Sequence, residues 1–317
     1  KTGAAVNFSR GVIENVPTID RSIADVARLS PLASSTKSST GGISFAGANN
    51  RYNSFQIDGT VSNDVFGLTS SGTNGGQTST NPISMETIEE IQVVIAPYDV
   101  RQSGFTGGGI NAVTKSGTNS FRGSAYTYFR NNNLVGKGAS GEKYAEQSTQ
   151  TYGFTFGGPL VKDKLFFFVS GEYDFEQSPS SYYPGYEGVS ITTDELDRIS
   201  ARYKALTGFD GGGYGRRDVR QRAGSLLAVL DWNINRNNSL NVRFSRTQNK
   251  YSSSPSSSIS PLDSKLAYDR NNYGRTSNYA MYFQNSRYYQ EQNFTSVAAE
   301  LNSRFMDSRL TNTLRYT

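Results

Sequence analysis

Two groups of residues have types and spacing that could do chemistry. The first is the run SGFTGGGINAVTKSGTN, residues 103 to 119, where a cluster of glycines precedes Lys115 and Ser116. A phosphate-binding loop needs Gly-x-x-x-x-Gly-Lys-Ser/Thr, so that backbone N–H groups ring the phosphate and the lysine reaches it. Thr114 stands where the glycine before that lysine is required, so the pattern fails. A dinucleotide fingerprint places its glycines between a strand and a helix, whereas INAVTK after Gly109 reads as strand. Glycines that let a strand lie close against another surface are the better account. The second group is the carboxylates Asp58 and Asp64, a pairing that glycosidases use for acid and base work. Both sit by a turn and a Ser/Asn-rich loop, where surface aspartates are commonplace, so a secreted β-rich enzyme is the weakest reading.

Composition narrows the chemistry further. None of the 317 residues is Cys or His, which leaves no Ser-His-Asp triad, no Cys-His pair, no usual zinc ligand set and no disulfide. No metal or cofactor is expected. The net charge of +5 is mild, and Lys and Arg form no long run, so a nucleic-acid partner is not expected either. Hydrophobic residues make up only 35% of the chain, beside 20 Tyr and 32 Gly, which is thin for a soluble core of this size. No apolar run approaches the roughly 18 residues of a spanning helix. A membrane barrel stays open, because its strands alternate and never read as hydrophobic runs.

The elements that must position these residues divide near residue 120. Seven of the 39 aromatic residues lie in residues 1 to 120, and 32 lie beyond. Before the boundary, NVPTIDRSIADVARLSP predicts a short amphipathic helix with Thr18 or Asp20 as N-cap and Ile23, Val26, Ala27 and Leu29 on its apolar face. NRYNSFQIDGT predicts a strand entering a turn at Asp58-Gly59. NPISMETIEEIQVVIAP predicts a helix opened by Pro82, with Glu86, Glu89 and Glu90 in or near its early turns, running into a β-branched strand.

After the boundary the period becomes two. Tyr152, Phe154 and Phe156 alternate with Thr151, Gly153 and Thr155; Leu226, Ala228, Leu230, Trp232 and Ile234 with Ser225, Leu227, Val229, Asp231 and Asn233; Leu240, Val242 and Phe244 with Asn241, Arg243 and Ser245. Val297, Ala299, Leu301 and Phe305 repeat the pattern, as do Leu310, Leu314 and Tyr316. About eight such strands are expected. Any single one fits a half-buried strand of a soluble sandwich; their repetition favours a barrel. Short links at GGPLVKDK, NINRNN and NSRFMDSR alternate with long polar ones near 174–221 and 246–278, the asymmetry of periplasmic turns and external loops. Tyr126, Tyr128, Phe129, Tyr173 and Phe175 stand near strand ends, as interfacial belt residues would. Within the first long link, TTDELDRISARYKALTG predicts a helix ending at Gly208.

IDGT, ISMETIEEIQVV and GFTGGGINAVTKSGTNSFRGSAYTYFRN together resemble the end of the plug domain and the first barrel strand of TonB-dependent outer-membrane transporters. The matching positions are Asp58, Gly59, Ile88, Glu89, Ile91, Val93, Gly108, Gly109, Ile110, Asn111 and Thr114. APYDVRQSGFTGGGINAVTKSGTN followed by GGPLVKDKLFFF resembles the Oar-like branch of Bacteroidota and Myxococcota. Two features depart from the family pattern: Ala96-Pro97-Tyr98 stands where many members carry Arg-Gly-Pro, and no TonB-box pentapeptide is identifiable before Val16.

The resemblance implies an α/β plug domain over residues 1–119, followed over 120–317 by antiparallel transmembrane β-barrel strands, part of a larger barrel of about 22 strands. It implies a longer parent chain in the Gram-negative outer membrane, among its lipids, with the plug facing the periplasm and the long loops outside. The TonB-ExbB-ExbD complex is the implied energy source, and peptide or protein cargo and a surface lipoprotein are implied partners. Ligand contacts are expected in the loops at Tyr182, Tyr183, Tyr186, Tyr214, Arg216 and Arg217, where Tyr, Gly and Ser mixtures give adaptable contact area. A scaffold or adhesin that displays these loops without transport is the alternative.

Overall fold

The computed structural model of the protein describes residues 4–18, 21–35, 42–64, 69, 72–78, 80–95, 107–144, 146–179, 183–185, 189, 191–253 and 282–317. Its N-terminal unit is built on a five-stranded sheet of β1 (Ala4–Ser9), β4 (Ser54–Ile57), β5 (Thr60–Val61), β6 (Ile88–Ile95) and β7 (Gly108–Thr114). The spatial order is β1-β6-β7-β4-β5, with β4 and β7 parallel and every other pair antiparallel. Helices α1 (Arg10–Asn15) and α2 (Ile23–Ala27) and the small β2 (Ala33–Ser35) and β3 (Ile43–Phe45) pair complete the unit. Val26, Ala27, Ile91 and Ala112 are fully buried in its core, with Phe45, Ile88 and Val93 beside them. Ser22 caps α2 by accepting from the Asp25 N–H, in place of Thr18 or of Asp20, which lies outside the described residues.

The helix expected behind Pro82 is absent. One turn of 3-10 helix, Met85–Thr87, is capped by Ser84, and Glu89 and Glu90 belong to β6. The β-branched run wins because it is hydrogen-bonded on both edges, to β1 and to β7. The register shifts between Ile88 and Glu90. That bulge takes up one residue and lets Ile88 and Ile91, three positions apart, both reach the core.

The C-terminal unit is a single antiparallel sheet of seven strands in chain order: β8 (Arg122–Asn131), β9 (Ser148–Val161), β10 (Leu165–Pro179), β11 (Asp218–Asn235), β12 (Asn238–Ser253), β13 (Tyr288–Phe305) and β14 (Leu310–Tyr316). Among the described residues it has seven strands where about eight are expected, and β8 and β14 are its two edges. Links at 162–164, 236–237 and 306–309 are short. The first long link is shorter than composition predicts, since β10 continues to Pro179 and β11 begins at Asp218, whereas the second is displaced along the chain, since β12 continues to Ser253 and β13 begins at Tyr288. Strand pairing overrides the polar residues at these ends. Helix α3 (Asn132–Val135) follows β8, and α4 (Thr193–Thr207) lies between β10 and β11. A capping box between Thr192 and Glu195 opens α4, and left-handed Gly208 closes it, as the sequence predicts.

The face pattern of this sheet is inverted. Tyr152, Phe154, Leu226, Trp232, Val297 and Leu314 are exposed, whereas Thr151, Thr155, Ser170, Arg243, Ser245, Thr247 and Asn249 are buried on the other face beside Phe168, Leu227 and Val229, and Arg243 and Thr247 tie that face to the N-terminal unit. Along β8 to β10, aromatic rings lie over glycines of the neighbouring strand: Tyr126 over its cross-strand partner Gly153, and Phe154 over Gly171. A Cβ on Gly153 would lie 2.1 Å from the Tyr126 ring.

Candidate functional site

The residues that carry chemistry meet where the polar face of the seven-stranded sheet touches the N-terminal unit. At one point the Asp58-Gly59 turn leaves β4 with both residues at positive φ, 48° and 75°. Asp58 accepts from the Thr114 N–H at 2.7 Å and from Thr114 Oγ1 at 2.8 Å, and the Gly59 N–H donates to Asn111 Oδ1 at 2.8 Å. Two arginines of the C-terminal sheet reach this turn. Arg243 of β12, only 2% exposed, donates to the Ile57 carbonyl at 2.5 Å and to Asp58 Oδ2 at 2.6 Å. Its Nε finds no partner among the described residues. Arg315 of β14 donates to the Gly59 carbonyl at 3.0 Å and pairs with Glu300. A Cβ at position 59 would stand 2.6 Å from the Arg315 guanidinium, the movable end of a flexible side chain, so it is the positive φ that favours glycine here.

The predicted signature residues therefore gather, in two roles. Asp58, Gly59, Asn111 and Thr114 form the turn and its clasp. Ile88, Ile91, Val93 and Ile110 are core. Gly108 lets β7 lie against Phe45, Gly109 pairs with Val94 of β6 and Ser54 of β4, and Glu89 is exposed. Asp64 accepts from the Thr69 N–H at 2.8 Å, while Asp58 is engaged by Thr114 and Arg243, so each carboxylate has a separate structural role.

A second meeting point lies along β8. Tyr126 and Tyr128 belong to the face toward the N-terminal unit, which corrects the expectation that both are belt residues; the alternation that exposes Phe129 turns them inward. The Tyr126 hydroxyl donates to Glu172 Oε2 at 2.7 Å, and Ser84 Oγ reaches the same oxygen at 2.6 Å. The Arg21 guanidinium sits 3.6 Å from the Tyr128 ring centroid and 5.6 Å from that of Tyr126, and it pairs with Glu86 at 3.2 Å. Burial alone would lower the Arg21 guanidinium; Tyr128, Glu172 and Glu86 outweigh it and raise it above its ordinary value. Its backbone holds φ at 49°, a left-handed state that costs a non-glycine residue roughly 1–2 kcal/mol. Further contacts bind Thr247 to the Pro82 carbonyl at 3.0 Å and Gln221 to the Thr78 carbonyl at 2.5 Å. Between the two units runs a cleft of about 960 Å³, lined among others by Arg21, Glu86, Lys115, Tyr128, Glu172 and Asp174. Burial, with Arg10 nearby, lowers the Lys115 ammonium from its ordinary value.

The loop residues take a third position, away from that cleft. Tyr214 donates to Asp197 of α4 at 2.6 Å and stacks edge-on against Phe283. Arg216 pairs with Glu146 at 2.8 Å, and Arg217 folds over Gly213. Tyr183 is half-buried, and Tyr182 and Tyr186 lie outside the described residues. Sequence reasoning missed Arg21 and Arg243 as contacts; the available signal for Arg243 was a charge on the inner face of an alternating strand.

Residues 113–184 match the family described as outer membrane beta barrel domain. The chain is 31% identical over 161 residues to the TonB-dependent transporter Oar of Myxococcus xanthus, an alignment covering 47% of this chain and 14% of Oar. It is 34% identical over 118 residues to the probable TonB-dependent siderophore receptor PirA of Acinetobacter baumannii, covering 34% of this chain and 14% of PirA. Among solved structures, the outer membrane transporter YddB of Escherichia coli superposes with a TM-score of 0.63 at 12% identity, over 95% of this chain and 37% of YddB. PirA of Acinetobacter baumannii superposes with a TM-score of 0.60 at 18% identity, over 98% of this chain and 39% of PirA. At these identities the superpositions bear on the fold alone.

Proposed function

Because this chain is a relative of the TonB-dependent outer-membrane receptors, we propose that it works in gated transport across that membrane. The N-terminal unit is the plug, bounded near residue 119, and the seven-stranded sheet is part of the wall of a larger barrel around it. The observation that carries the reading is the inverted sheet: apolar side chains on the open face, and buried Ser, Thr, Asn and Arg on the other face. A sheet in water hides its apolar face, whereas a barrel wall turns it to lipid and keeps a polar lumen. The plug is held by an ion pair and by hydrogen bonds at separate points and leaves a cleft beside them. Polar contacts of this kind can be exchanged for water or cargo, which an apolar seam would not permit. Energy would come from the TonB-ExbB-ExbD complex pulling on the plug, and cargo, of peptide or protein class by analogy with the Oar-like branch, would first meet the loops carrying Tyr182, Tyr183, Tyr186, Tyr214, Arg216 and Arg217.

Two measurements test this. The chain has no Cys, so single cysteines can be placed at will. An Arg198→Cys variant in α4 should react with a membrane-impermeant maleimide on intact cells, and an Asn237→Cys variant in the short turn should not. The reverse labelling overturns the orientation. For transport, the solutes left in the medium by cells lacking this chain are compared by mass spectrometry with those left by cells lacking TonB. A shared unconsumed solute is expected; an unchanged medium with α4 still labelled would leave only a display scaffold.

A further inference from the structure

Arg21 rests in a pocket that would recognise a basic group on any molecule. Its guanidinium lies over the Tyr128 ring at 3.6 Å and near the Tyr126 ring at 5.6 Å, with the Glu86 carboxylate at 3.2 Å. Tyr126 is itself held by Ser84 and Glu172, and the Tyr128 hydroxyl donates to Glu86 at 3.3 Å, so each ring has a partner besides Arg21. Arg21, Glu86, Tyr128 and Glu172 all line the cleft between plug and wall. Aromatic faces backed by carboxylates select a guanidinium or ammonium over a neutral or anionic group. The contact that fills this pocket comes from a short stretch entering α2, held at the left-handed φ of Arg21. Strained backbone of that kind persists only while its surroundings hold it.

We propose that Tyr126, Tyr128, Glu86 and Glu172 form a cation seat in the cleft, occupied at rest by Arg21 as an internal stand-in, and opened to a basic group of the cargo when Arg21 withdraws. The inference rests on the transport reading for the meaning of the cleft and names the chemistry its cargo carries there, an arginine- or lysine-bearing peptide. Arg21 then acts as an autoinhibitory contact: the plug blocks its own seat until it moves.

The test uses the purified full-length protein in detergent and a tetra-arginine amide as probe, titrated by calorimetry at low salt. Arg21→Gln should bind the probe roughly three- to thirty-fold more tightly than the wild type, the range that one ring-stacked cation gives. Adding Tyr128→Leu should abolish the gain, and adding Tyr128→Phe, which keeps the ring, should retain it. Arg21→Lys is measured alongside, so that a folding defect in one variant leaves a second reading; it should show an intermediate gain. Equal affinity in the wild type and in a folded Arg21 variant, or a gain indifferent to the ring at position 128, overturns the proposal. Either result is independent of the transport reading, which stands or falls on labelling and solute uptake.

Discussion

In the plug sheet Ile88, Ile91 and Val93 are at most 1% exposed, whereas in the wall sheet Leu226 and Leu314 stand 43% and 64% exposed. The same residue classes thus face opposite ways in two sheets of one chain. On the reading proposed above, the first sheet is organised against water and the second against hydrocarbon. What joins them follows from this: apart from the buried cluster of Phe168, Leu227 and Val229, the inner face of the wall is polar, and Arg243, Arg315, Thr247, Gln221 and Tyr126 of β8 make polar contacts with the plug. Partial burial makes each of these contacts specific in geometry, because an unpartnered polar group left behind would be costly.

Substitutions can break this contrast in a definite order. Ile91→Ala should have the largest effect, destabilising the plug by about 3–4 kcal/mol, because a fully buried aliphatic leaves both lost transfer energy and a cavity; the loss is read in urea as earlier proteolysis of the plug. Arg243→Ala should follow at about 2–3 kcal/mol, since it removes the ion partner of Asp58 and the donor to the Ile57 carbonyl while Thr114 keeps its two bonds to Asp58. Here the wall should melt normally while the plug becomes protease-sensitive, and equal loss in both units would argue against a plug-specific clasp. Leu226→Arg on the open face should cost about 2 kcal/mol when refolded into lipid vesicles and much less in detergent micelles. If vesicle and micelle give the same answer, that face does not meet hydrocarbon. The smallest effect is expected at the rim: Thr192→Ala should speed amide exchange in α4 roughly five-fold and leave both sheets untouched.

The same cap gives a pH dependence of known sign. The Thr192 backbone N–H and hydroxyl hold the Glu195 carboxyl below its ordinary 4.5. A depressed carboxylate contributes its stability above the unfolded value and loses it as the pH falls through the folded one. The protection factors of α4, which compare exchange with its intrinsic rate at each pH, should accordingly fall on acidification below about 4.5, and a Glu195→Gln variant, with no carboxyl to titrate, should show no such step.

What could be read in the sequence was what periodicity carries. Alternation placed the wall strands and their faces, because a period of two is independent of partners. The Asp58-Gly59 turn was legible because two consecutive positive φ values favour that pair. The acidic segment after Pro82 was misread, since the bulge at Glu89 breaks the alternation of β6 and leaves a spacing that also fits a helix. Proximity to a strand end suggests Tyr126 and Tyr128 as belt residues, although their parity with Ser124 places them on the inner face. Arg243 and Asp58 lie 185 residues apart, and no local rule brings them together. Such a contact exists only once both sheets have formed.

The glycines beneath the rings of β8 to β10 bear on something other than local packing. Tyr126 opposite Gly153 and Phe154 opposite Gly171 fit only in the register observed, because a slip would set each ring against a side chain or leave it unsupported. Register accumulated from strand to strand is the shear of a sheet, and in a closed sheet shear and strand number together fix the tilt of the strands and the diameter. In the barrel proposed above these glycines would therefore be determinants of bore: residues with no side chain would help decide how wide a hole the wall encloses.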